Sequence, residues 1–208
     1  MKMTFNSPCS VRSAAALGAV LFSALPLAAR AHVGADGGGH HHFLAGFVHP
    51  LQGADHLAAM LAVGLWSALA ARRAGPDLLW APLGFAFMLL CGALMGLAGL
   101  ALPAVEPMVA ASVLVLGLLV ATRLHLGAMP AFTLVGGFAL FHGLAHGQEL
   151  LRSGHAVPML AGMLCATVML HGSGMAVGWA LRRSGTWLPR LLGACIAILG
   201  LNLIAQMA

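Results

Sequence analysis

Apolar runs near or above the roughly 20 residues needed to cross a bilayer recur along the whole length of this 208-residue chain. No other feature constrains its fold as tightly. Inside hydrocarbon, backbone N–H and C=O groups have no water to bond to, so a spanning segment must be a helix or part of a closed barrel. The strand-like alternation that a barrel needs is absent, which leaves helices. Only 7% of the residues are charged and 61% are hydrophobic, against about 25% charged in an ordinary soluble domain. The sequence therefore predicts an all-α fold, a polytopic transmembrane helix bundle.

Six spans are expected: Phe43–Ala71, Leu78–Leu102, Glu106–Thr122, Ala131–Leu151, Ala156–Leu181 and Trp187–Met207. Gly75-Pro76, Pro103, Pro107, Pro130, Gly154 and Gly185 punctuate the connections. Ahead of them, Lys2 and Arg12, the apolar run Ala14–Ala28 and the triplet Ala29-Arg30-Ala31 read as a cleaved signal peptide over residues 1–31. Cleavage leaves His32 at an extracytoplasmic N-terminus, followed by a His/Gly-rich segment to His42 and a membrane domain over residues 43–208.

On that topology the first, third and fifth connections face the cytoplasm. They hold Arg72, Arg73, Arg123, Arg182, Arg183 and Arg190, whereas the outer connections hold only Arg152. This asymmetry obeys the positive-inside rule and supports the six-span count independently. The net charge of +5 thus reads as a topology signal. With no basic stripe and no interleaved aromatic platform, nucleic-acid binding is excluded. Cys9 falls in the signal segment, and Cys91, Cys165 and Cys195 are isolated in apolar spans, where they are expected as small buried hydrophobes. Small-x-x-x-small spacing at Gly92/Gly96, Gly143/Gly147 and Gly174/Gly178 marks close helix packing.

Ionisable groups inside such spans demand a reason, because an uncompensated acid at the bilayer centre costs at least about 2.5 kcal/mol. The first span contains HPLQGADH. His49 and His56 are seven residues apart, two helical turns, which places them on one helix face with Asp55 adjacent. Pro50 lacks the N–H for an intrahelical bond, so a break is expected near His49-Pro50, leaving a half-helix start beside these groups. The fourth span contains FHGLAHGQE, in which His142, His146 and Glu149 follow at i, i+4 and i+7 as one stripe. Histidines one turn apart can hold a single metal, with the carboxylate as a third ligand or an orienter. His171 in MLHGSG is a further, weaker candidate, and Glu106 beside Pro107 reads as a helix-start residue.

Two acids and four histidines on two spans point to a shared cation site. Imidazole nitrogen with some carboxylate suits Ni²⁺, Co²⁺, Zn²⁺ or Cu²⁺ rather than Mg²⁺ or Ca²⁺. The two carboxylates offset a divalent charge entering low dielectric. All of these residues fall between mid-membrane and its outer half, where a site loading from outside belongs.

HPLQGADH with the following MLAVGLW, VEPMVAASVLVLGLLVA, FHGLAHGQE and TVMLHGSG together resemble the HupE/UreJ family of nickel permease-like membrane proteins, over essentially the whole mature chain. The first motif is also similar to the H-x4-D-H signature of the larger nickel/cobalt transporters, with one more residue in the spacing here. The resemblance implies a multi-pass protein of the bacterial inner membrane, not an enzyme, that supplies nickel to hydrogenase or urease maturation proteins. It carries His49, Asp55, His56, His142, His146 and Glu149 over as site residues. The His32 amine and imidazole, with His40, His41 and His42, form a candidate metal collector at the entrance.

The only lysine is Lys2. A mature chain without lysine has neither a Walker A phosphate loop nor a retinal Schiff base, so an ATP motor and a rhodopsin are both excluded. A divalent ion moving inward gains about 4.6 kcal/mol per 100 mV of inside-negative potential, sufficient for uptake without ATP. Two rivals remain. One is an intramembrane zinc-dependent hydrolase, with Ser173 and His171 available to its site. The other is a metal-binding accessory protein that passes no ion, built from the same ligands.

Overall fold

The computed structural model describes residues 39–72, 74–183 and 185–207. The expected signal peptide and His32 lie outside the described residues. Among these there are seven α-helices and no strand: α1 Gly39–Gln52, α2 Ala54–Ala70, α3 Trp80–Leu97, α4 Val105–Thr122, α5 Ala128–Leu151, α6 Ala156–Leu181 and α7 Trp187–Ala205. The last five are each long and apolar enough to cross a membrane, and α1 with α2 passes the same test as a pair bent by 82°, which makes up to six spans. The chain is a multi-pass membrane protein.

Span ends differ from expectation by a few residues. The second span stops at Leu97 rather than Leu102, because Gly99 turns the backbone into the left-handed region at φ 85. The fourth begins at Ala128, with Pro130 in the first turn, where its missing N–H costs nothing.

The break in the first span also moves. Pro50 stays inside α1, and the chain bends at Gly53, whose φ of −89° and ψ of 119° are extended. Pro50 removes the bond to the carbonyl four residues earlier, but α1 ends two residues later, so the helix loses little. The bend settles on the glycine because the space beside it is taken: a Cβ there would lie 2.9 Å from Asp55 Oδ1 and 3.1 Å from His56 Nδ1.

Helices pack in close pairs, α3 on α5, α4 on α7, and both α1 and α2 on α6. Glycine makes the approach possible. A Cβ on Gly92 would sit 2.2 Å from Leu140 O, one on Gly143 2.1 Å from Leu89 O, and one on Gly174 2.3 Å from Leu61 O. The three small-residue repeats are therefore contact seams. Arginines tie helix ends together at one end of the bundle: Arg182 Nη1 donates to Ala68 O at 3.3 Å and Arg123 Nη2 to Gly185 O at 3.4 Å, and Arg182 stacks 4.5 Å over Trp179. Cysteine is a correction. Cys165 and Cys195 are exposed on the outside of the bundle and Cys91 is half-buried. Lipid is as apolar as the protein interior, so a small hydrophobe gains nothing from facing inward.

Candidate metal centre

FHGLAHGQE carries two stripes. Gly143 and Gly147 face α3 and let it approach, while His142 and His146, each one residue earlier and about 100° around the helix, turn toward α1 and α2. His142 and His146 are fully buried. From the other side the bent first span delivers His49 from the end of α1 and His56 from the start of α2. The sequence placed these two on one helix face; instead the 82° bend brings them together, with ring centroids 6.2 Å apart.

Four imidazoles then meet. His56 lies 4.5 Å from His146 and 5.1 Å from His142 between ring centroids, and His49 lies 5.0 Å from His146. Glu149 Oε2 stands 3.2 Å from His49 Nε2 and 3.7 Å from His146 Nδ1. One ligand atom each from His49, His146 and Glu149 lie within 4.8 Å of one another. Donors each about 2.1 Å from a common ion stand at most about 4.2 Å apart, so the three are close to the spacing a single ion needs.

The hydrogen bonds define which ring nitrogens are free. Asp55 Oδ1 accepts both the His56 backbone N–H at 2.8 Å and its Nδ1–H at 2.9 Å. That leaves His56 Nε2 buried with a lone pair and no protein partner. A carboxylate that holds the far nitrogen of a histidine is the usual backing of a metal ligand. Asp55 thus orients His56. His142 Nε2 pairs with Ser112 Oγ at 2.8 Å, and its Nδ1 is buried without a hydrogen-bond partner, as are both nitrogens of His146, whose Nδ1 has only Glu149 Oε2 at 3.7 Å. Buried polar atoms are nearly always satisfied, so unpaired nitrogens converging from two helices, α2 and α5, form a set of donors suited to a cation.

His171 stands apart. Its Nδ1–H donates to Met60 O at 2.8 Å, leaving Nε2 unpaired and buried. Phe85 of α3 separates it from the cluster, its ring centroid 5.0 Å from His171 and 5.6 Å from His142. Ser173 donates to Met169 O of its own helix on the exposed face, so His171 and Ser173 form no nucleophile–base pair. Glu106 is exposed in the first turn of α4. Beside the α5–α6 connection, His42 stacks on His155 at 3.7 Å between centroids, a neighbour that sequence reasoning did not supply. Ser112 and Phe85 were also missed. A lone serine or phenylalanine in an apolar run carries no signal of its own.

Comparison with known proteins agrees with this architecture. The family model described as HupE / UreJ protein matches residues 20–203. Protein HupE of Rhizobium leguminosarum bv. viciae is 40% identical over 184 residues, covering 87% of this chain and 92% of that protein. No solved structure matches. With its motifs, its spans and this relative in agreement, the chain belongs to the HupE/UreJ family.

Proposed function

We propose that this protein carries a divalent transition-metal cation, Ni²⁺ first and Co²⁺ second, inward across the bacterial inner membrane to supply hydrogenase or urease maturation. The observation that carries this reading is the meeting of His49, His146 and Glu149 from two separate helices, with ligand atoms within 4.8 Å, backed by His56 and His142. Imidazole nitrogens select borderline ions over Mg²⁺ or Ca²⁺. Asp55 and Glu149 together offset the doubled charge.

The ion enters from the outer ends of α1 and α5, exchanging water for Glu149 and His49. It passes to His146 and His56, whose rings lie 4.5 Å apart. The next unpaired nitrogen inward is His142 Nδ1, and beyond Phe85 comes His171 Nε2. The membrane potential supplies the driving force, about 4.6 kcal/mol per 100 mV for two charges. Before the ion arrives, the signal peptide directs the N-terminus outside, and His32 with the histidines that follow gathers metal at the entrance.

The test is flux. Purified protein in liposomes should accumulate Ni²⁺ under an inside-negative potential, and cells lacking other nickel importers should lose uptake when His56→Ala replaces the wild type. Absence of flux alongside intact metal binding would turn the reading into the accessory role.

A further inference from the structure

Ser112 sits in the middle of α4, fully buried, and supplies no charge and no obvious ligand. Its hydroxyl has two neighbours: Val109 O at 2.6 Å and His142 Nε2 at 2.8 Å. A serine has one proton to give. Val109 O accepts only, and an oxygen 2.6 Å away with no proton between would place lone pair against lone pair, so the proton goes to Val109 O, the back-bonding common for serine in helices. What remains toward His142 is a lone pair, which requires a proton on His142 Nε2. In a neutral imidazole Nδ1 then carries the lone pair, and this atom is the buried, unpaired one. The opposite tautomer would put two lone pairs face to face at Ser112 and leave an N–H with no acceptor at Nδ1.

We infer that Ser112 is a positioning residue that locks His142 in the Nε2–H tautomer and so presents Nδ1, rather than Nε2, to the cation. The device mirrors the one on the first span, where the Asp55 carboxylate holds His56 Nδ1–H and frees Nε2. A neutral hydroxyl on α4 does for the inner ligand what a carboxylate does for the outer one, without adding a third negative charge around a doubly charged ion. The tautomer follows from the hydrogen bonds alone; its consequence for metal rests on the proposed function.

Two measurements test it. The first is made without metal, by ¹⁵N and ¹H NMR of histidine-labelled protein in detergent, with His142 assigned through a His142→Ala variant. A single Nε2–H tautomer with a hydrogen-bonded, slowly exchanging proton is expected in the wild type. Loss of that proton's protection is expected in Ser112→Ala, and its retention in Ser112→Thr, which keeps the hydroxyl. A wild-type proton on Nδ1 would overturn the inference. The second is Ni²⁺ affinity. Ser112→Ala should weaken binding by about 10- to 100-fold, the usual effect of removing a ligand's backing group, and should cost nothing further in a His142→Ala background. Equal losses in both backgrounds would reduce Ser112 to a packing residue and overturn the inference. If the wild type binds no Ni²⁺ at all, the proposed function fails, while the NMR result still decides the role of Ser112.

Discussion

Consider Gly143→Ala, one methyl group added to α5 on the side away from the proposed cation ligands His142 and His146. Its Cβ would lie 2.1 Å from Leu89 O and 2.8 Å from Ala93 N, whereas real Cβ contacts do not fall below 3.0 Å. The atoms it meets are α3 backbone, which has no rotamer to yield, so α3 and α5 must part by about 0.9 Å. Overpacking of this kind costs about 1–3 kcal/mol. His142 and His146 ride on the displaced helix while His49 and His56 do not. Metal sites tolerate about 0.2 Å in ligand distance, and a misplacement of about 1 Å at a tuned site costs about 100-fold. Equilibrium Ni²⁺ binding by the purified variant should therefore weaken by about 100-fold with the helices still formed by circular dichroism. Gly137→Ala is the control: same helix, nothing within 4 Å of its Cβ, and by helix propensity worth up to about 1 kcal/mol of added stability. If Gly143→Ala binds as tightly as the wild type, or Gly137→Ala loses as much, the coupling of the glycine seam to the ligand stripe is wrong.

Asp55→Ala removes the acceptor of His56 Nδ1–H and should weaken Ni²⁺ affinity by about 10- to 100-fold, measured by competition with a chelating dye. His171→Ala should leave equilibrium binding at the outer cluster unchanged and lower inward flux in liposomes, since Phe85 keeps His171 out of that cluster. Metal binding needs unprotonated imidazoles, so acid opposes it: affinity should fall as external pH is lowered, read by titration at fixed ionic strength, and an affinity that rises with acid would refute the imidazole ligand set.

Much of this architecture is written in hydropathy. Span length and the arginine asymmetry predict five unbroken spans and one broken one, and the stripe of His142, His146 and Glu149 is visible because helical spacing alone puts them together. The first span was harder. Periodicity assigned His49 and His56 to one face, but the helix bends between them, and proline is the louder breaker in a sequence than a glycine crowded by Asp55 and His56. The cysteines misled for a different reason: burial rules learned in water say little where lipid replaces it. Ser112 was illegible because its partner lies 30 residues away on another helix.

The claim on which the rest depends is that one divalent ion is shared by imidazoles from the bent first span and from α5. X-ray absorption on the Ni²⁺-loaded protein addresses it directly. Several imidazole nitrogens in the first coordination sphere are predicted, with the signature lost when His56 and His146 are both replaced by alanine. An oxygen-only sphere, or a spectrum that survives the double replacement, would contradict it.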